Sequence, residues 1–165
     1  IFENTGIMEN RKVQTFRTFP KYKRKKTILR DILIKGSEVS EEYFLRSSDL
    51  EKWKFLKGAK NEPRKKRNGE TFYYKEGPLS FPDPLDRPAR TIITSEGGTT
   101  PSRFKHVVEQ RRKLRRLVPI ELERANMFPD NHTQLATDTK RAFFMGNALV
   151  VGICEKIGII LAKLI

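Results

Sequence analysis

The chain has 165 residues and a net charge of +14, with 33% charged and 37% hydrophobic residues. That length suits one domain with its own core, and 11 Phe and 4 Tyr among regular apolar runs argue against disorder. The charge selects a polyanionic partner, with DNA, RNA and an anionic membrane surface as candidates. One cysteine, Cys154, excludes an internal disulfide and a cysteine-based zinc site. His106 and His132 lack metal-ligand spacing and are expected at the surface or beside the polyanion.

Residues 1–30 are basic, with Lys21, Lys23, Arg24, Lys25 and Lys26 either a solvated run or a phosphate contact. A short helix is expected over Thr27–Leu33 behind a Thr cap. Short helices follow from Ser40 to Gly58, with Trp53 anchoring a core. Arg64-Lys65-Lys66-Arg67-Asn68-Gly69 reads as a basic turn leading into a strand, Thr71-Phe72-Tyr73-Tyr74, a hairpin carried to a phosphate backbone. Residues 78–104 are punctuated by Pro78, Pro82, Pro84, Pro88 and Pro101, with a strand expected at Arg90–Thr94. Pro119 opens a helix whose first turn carries Glu121 and Glu123. The last segment, 141–165, carries one helical stripe of Leu149, Ile153, Ile157, Ile160 and Leu164. Glu155-Lys156 interrupts it, so a membrane span is not expected, and burial against a partner is. Cys154 falls within it as a small buried hydrophobe. There is no N-terminal signal pattern, and the single cysteine fits a reducing cytoplasm. A start at Ile1 suggests a fragment.

Two segments carry a family resemblance. Arg115-Arg116-Leu117-Val118-Pro119-Ile120-Glu121, continuing through Arg124 to Phe128-Pro129-Asp130, resembles motif IX of cytosine-C5 DNA methyltransferases. Gly146-Asn147-Ala148-Leu149-Val150-Val151 resembles motif X, in the right order and at a suitable separation. Arg90-Thr91-Ile92 lies where the family's target-recognition domain has a Thr-aliphatic pair, and residues 94–106 are similar to a recognition loop of one branch. The family usually has Gly where this chain has Met127, which puts the turn before Phe128 in question.

The resemblance implies an α+β chain: a small irregular target-recognition domain over 1–136, then a motif X helix over 137–165 that completes a Rossmann-like α/β catalytic domain. It implies double-stranded DNA as substrate, S-adenosylmethionine as cofactor and a restriction-modification setting in a bacterial-type cytoplasm. The family's Gly-rich cofactor turn, Pro-Cys nucleophile and Glu-Asn-Val acid do not occur here, so those groups are expected from a catalytic half or subunit. By resemblance, Thr91 contacts the backbone near a flipped base, while Asn147 and Ala148 meet the methionine end of the cofactor, with Asn147 expected as a helix N-cap. Gly97 and Gly98 are expected to let the main chain approach DNA, or else to form an ordinary turn. Arg103, Lys105 and His106 are the nearest contact candidates, with Lys23, Arg24, Lys25 and Lys26 on phosphates. Two alternatives stand beside this reading: a non-catalytic DNA-binding remnant of such an enzyme, and a basic RNA-binding protein, which fits the charge but not the motifs.

Overall fold

The computed structural model describes residues 2–21 and 26–164, so Lys23, Arg24 and Lys25 lie outside the described residues. Among the described residues six short strands form three separate antiparallel hairpins: β1 (Thr5–Glu9) with β2 (Lys12–Phe16), β3 (Lys60–Lys65) with β4 (Thr71–Glu76), and β5 (Val107–Gln110) with β6 (Lys113–Arg116). The helices are α1 (Leu29–Ile32), α2 (Leu50–Lys57), α3 (Pro119–Ala125), α4 (Asp138–Asn147) and α5 (Val151–Leu161), with 3-10 turns at Glu41–Tyr43 and Ser47–Asp49. Mixed helices and small strands make the chain α+β, as expected.

Only one hairpin, β5–β6, is built into the core. Val107 and Val108 are wholly buried, and the main cluster joins Val108 to Leu29, Ile32, Ile92, Leu117, Leu122, Ala142 and Met145. Its two-residue turn is Arg111-Arg112, both at positive φ (55° and 61°). That geometry matches the twist of paired strands but is normally supplied by Asn-Gly or Asp-Gly, so Arg111-Arg112 carries no hairpin signal. Trp53 is 1% exposed and anchors α2, as its spacing suggests.

The helix starts depart from expectation in detail. The cap of α1 is Ile28, whose amide donates to the Asp31 carboxylate at 3.0 Å, and Thr27 lies one residue outside it. No strand forms at Arg90–Thr94. Ile92 enters the core from an irregular segment, because no neighbouring strand offers the segment a ladder.

The segment after Pro119 is held by a buried ion pair. Arg115 donates to both Glu121 oxygens, at 2.7 and 2.8 Å, with both side chains fully buried. The same carboxylate accepts the Ile34 amide at 3.0 Å and the Val118 amide at 2.9 Å. Glu121 is therefore a junction of α3, β6 and the chain after α1, beyond its favourable place in a first helical turn. At the other end of α3, Met127 stands at φ 64°. The Met127 amide donates to Arg124 O at 3.0 Å and the Phe128 amide to Glu123 O at 2.9 Å. These are the two bonds of a Schellman cap, so the tight turn before Phe128 forms without the family's glycine.

The C-terminal segment requires two corrections. Asn147 does not open the final helix: it is the last residue of α4, and the amide of its side chain donates back to Phe143 O at 2.9 Å. Ala148 (φ −78°, ψ 149°) and Val150 (φ −67°, ψ 118°) are extended and break the helix. Residues 138–161 together have the length and apolar content of a membrane span, but the break leaves helices of 10 and 11 residues. Each is short of the roughly 20 residues that a crossing needs. Cys154 is exposed, because α5 buries none of its residues against this chain.

Candidate nucleic-acid interface

Residues 90–106 form a loop-built surface whose underside is a polar frame. Asp83 receives Arg90 in a two-pronged pair, at 2.7 and 3.2 Å, and also accepts the Val107 amide at 2.8 Å. Burial raises the Asp83 pKa, but the Arg90 hydrogen bonds, the Val107 amide and Lys57 outweigh it and hold the group below the usual carboxylate range. The Arg90 amide donates to His106 Nε2 at 3.0 Å, which leaves the imidazole proton on Nδ1, facing Glu96 Oε1 at 3.0 Å. Glu96 also accepts the His106 amide at 2.5 Å. Lys57 donates to Lys105 O at 2.6 Å, and its burial lowers its pKa to about 8.

This frame relocates several of the expected contact residues. His106 is fully buried, not at the surface, since both ring nitrogens are spent inside the loop. Lys105 is 3% exposed and donates to Gly98 O (2.6 Å) and Thr100 O (2.8 Å). Burial, and then repulsion from Arg116, lowers its pKa. Arg103 is 8% exposed and donates to Leu56 O, Gly58 O and Gly77 O. These three residues brace the loop from beneath in this conformation, where the sequence reading had them touching a ligand.

The glycines also serve packing. A Cβ on Gly97 would lie 2.7 Å from Ala142 Cβ and 3.1 Å from Thr139 Cα, so its bare backbone is what lets the loop lie on α4. Gly146, on α4, faces the loop in the same way: a Cβ there would meet Thr94 at 2.5 Å. Arg116 then bolts the loop down, donating to Gly97 O (3.0 Å) and Gly98 O (3.3 Å) as well as to Glu42 O (2.8 Å). Motif membership marked Arg116 in the sequence, but only the folded chain shows that it holds this loop. Asp83, Arg90 and Lys57 were not distinguishable from other charged residues.

Thr91 and Lys26 are exposed. Thr91 shares an open pocket of about 320 Å³ with Asn126, Met145, Gly146 and Ala148. The structure therefore brings the Thr-aliphatic pair and the motif X junction to one place, although 57 positions separate Thr91 from Ala148. The pocket is a one-sided wall. Asn147 beside it is exposed and sits at the carbonyl end of α4, so the attraction of a helix start for a carboxylate is not available from it. Among the described residues no His, Cys, Asp and Glu cluster could hold a metal ion.

A sequence model of C-5 cytosine-specific DNA methylases matches residues 3–163. The type II methyltransferase M.Sau3AI of Staphylococcus aureus is 40% identical over 157 residues, which cover 95% of this chain and 37% of that protein. The chain thus spans little more than a third of the length of that relative.

Proposed function

The chain belongs to the C-5 cytosine-specific DNA methylase family, and we propose that it supplies the DNA-recognition, C-terminal half of a cytosine-C5 DNA methyltransferase of restriction-modification type, acting in the cytoplasm. The observation that carries this reading is α5. Ile153, Ile157, Ile159, Ile160 and Leu161 are all more than half exposed, and no residue of the helix is buried. With about half of each side chain still to cover, burying all five is worth on the order of 4–8 kcal/mol before ordering entropy, so an isolated chain would not keep them in water. A catalytic half, of which the longer relative has room for one, is the cover this reading assigns.

The division of labour follows from the chemistry. A cytosine must leave the duplex stack before its ring can be attacked, at a cost of a few kcal/mol. In the family a cysteine thiolate adds to the ring and a glutamate assists. This chain's only cysteine stands exposed on α5, not in a Pro-Cys loop, so the nucleophile comes from the partner half. S-adenosylmethionine supplies the methyl group when bound. Here Ala148 and the Thr91 pocket would form one wall of its site, and the partner half would hold the rest. Thr91 and the exposed rim of residues 94–102 face the duplex, with Lys26 on phosphates together with Lys23, Arg24 and Lys25, which lie outside the described residues. Arg103, Lys105 and His106 act one layer below, as the brace that fixes the loop's shape.

The test is complementation. The chain alone should transfer no methyl group from labelled S-adenosylmethionine to duplex DNA. Mixed with a polypeptide carrying the Pro-Cys and Glu-Asn-Val segments, it should. Turnover by the chain alone would overturn the division, and DNA binding without rescue by any such partner would favour the non-catalytic remnant. Met127 gives that second reading little support, because its cap bonds are intact and a left-handed residue costs about 1–2 kcal/mol.

A further inference from the structure

The β3–β4 hairpin takes no part in the core. Its six paired positions run from Lys60↔Glu76 to Lys65↔Thr71, and apart from Lys60, Tyr74 and Glu76 every strand residue is exposed. Six residues at roughly 3.3 Å each give an arm of about 20 Å, before the tip is counted. Residues 60–76 carry six basic and three acidic side chains, and the pairing register sorts them by face.

One face holds Lys60, Glu62 and Arg64 opposite Glu76, Tyr74 and Phe72. Its charges are used internally: the Arg64 guanidinium lies 3.6 Å from the Tyr74 ring centre, Lys60 is 3.9 Å from Glu76, and Arg64 is 3.8 Å from Glu62. The other face holds Asn61, Pro63 and Lys65 opposite Lys75, Tyr73 and Thr71, with no acid on it. Tyr73 is 61% exposed there. The tip adds Lys66 and Arg67, and its one acid, Glu70, is held by Lys66 at 3.1 Å in a pair that is open to solvent on both sides. An exposed pair of this kind is readily exchanged for another anion. Cations, a phenol and a side-chain amide with no competing carboxylate make a donor-rich surface without negative charge, suited to a row of phosphates. A two-stranded ribbon is also narrow enough for the major groove of duplex DNA.

The arm is aimed by a buried pin. Arg103 donates to Leu56 O at 2.9 Å and Gly58 O at 2.8 Å, just before β3, and to Gly77 O, just after β4. It also pairs with Glu76 at 3.2 Å. Both roots of the hairpin are therefore tied to the strand of chain that leads out of the 94–102 loop.

We propose that the β3–β4 hairpin is a second DNA-contacting arm, which lays Lys65, Lys75, Tyr73 and the tip residues Lys66 and Arg67 against the phosphate backbone of the duplex that the 94–102 loop reads. This rests on the DNA-recognition reading above. The arm adds affinity and register without choosing sequence, since phosphate contacts position and base contacts specify.

The experiment compares the full chain with K65A/K66A/R67A/K75A, and separately with Y73A, for binding to labelled duplex DNA of several sequences across a salt series. All these side chains are exposed, so unfolding midpoints should not change. The fourfold variant should weaken binding equally on every sequence and reduce the log–log salt slope by about 2–4, at roughly 0.9 for each lost phosphate contact. A control variant, R11A/K12A/K52A, should reduce it by less than one. If the parent binds duplex DNA with a steep salt slope and the hairpin variant keeps that slope, the arm proposal fails and the DNA reading stands. Equal losses in the control and hairpin variants also overturn the arm, because unspecific charge then accounts for the effect. If the parent does not bind duplex DNA, both readings fall together. Loss confined to RNA binding would assign the arm to a different partner and reject the proposal.

Discussion

Replacing Glu121 by Gln should unfold much of what holds the recognition loop, although the two side chains have almost the same shape. In the native chain both Glu121 oxygens accept Arg115, and each accepts one further amide, from Ile34 or Val118. An amide in that position turns a donor toward two donors and leaves the Arg115 charge uncompensated. Arg115 keeps the Gln110 side chain at 2.8 Å, Arg116 O at 2.9 Å and one neutral amide oxygen at position 121, in a site with no solvent access. Breaking one side of a buried pair costs about 3–5 kcal/mol. At about 2–4 °C per kcal/mol for a chain of this size, the unfolding midpoint should fall by roughly 6–20 °C. Circular dichroism melts and urea titrations of the wild type, E121Q, R115M and R115M/E121L read this directly. The double apolar variant should recover only part of the loss, since it removes the stranded charge along with its partner but leaves the Ile34 and Val118 amides without an acceptor, at about 1–3 kcal/mol each. A loss below about 1 kcal/mol in E121Q, or a double variant as damaged as the two single variants added together, would refute the argument.

Burial lowers the Lys57 pKa from 10.5 to about 8, opposed by Asp83 and aided by Arg90 and Arg103. The folded chain therefore binds fewer protons than the unfolded one between those values, and the Lys57 contribution to stability rises as pH climbs through 8 toward 10.5. Urea midpoints at pH 8 and 9.5 should show this gain in the wild type relative to K57M, and parallel curves would exclude it. Met127→Gly should stabilise the chain by about 0.5–1 kcal/mol, because glycine relieves a left-handed cost of about 1–2 kcal/mol and gives back part of it as unfolded-state entropy; a lower melting temperature would contradict the cap analysis. Ile153→Asp or Ile157→Asp, on positions 56% and 52% exposed, should leave the melt unchanged and abolish complementation by a catalytic half; retained complementation would remove α5 from that interface.

The sequence reveals an element where its local pattern and its tertiary role agree. Trp53 and the Pro119 helix start are of that kind, as is the basic turn expected at 64–69 except that Arg64 and Lys65 belong to β3, because spacing, capping chemistry and turn residues act over a few positions. The β5–β6 hairpin was not legible, since Arg111-Arg112 adopts a backbone that these residues do not favour and only the buried pairing of Val107 and Val108 rewards it. Asn147 misled for a related reason: a good capping residue follows any apolar gap, and what ended α4 was the extended backbone at Ala148.

The candidate site shows a deeper limit. Charge on Arg103, Lys105 and His106 suggested contact with a polyanion, but a loop rich in proline and glycine leaves many of its own carbonyls without backbone partners. Those carbonyls, at Gly97, Gly98 and Thr100, take up Lys105 and Arg116, while Arg103 is taken up by the carbonyls of Leu56, Gly58 and Gly77 at the roots of the β3–β4 hairpin. A basic residue beside an irregular loop thus has two competing acceptors, the loop's own main chain and an external phosphate, and composition counts it the same way for both. Under the proposed function, the residues left over for DNA are those whose neighbours are already satisfied. Strand pairing meets the main-chain demand in β3–β4, and this frees the lysines on its open face. By that argument the open face of the regular hairpin keeps available the positive charge that the loop beside it spends on its own carbonyls.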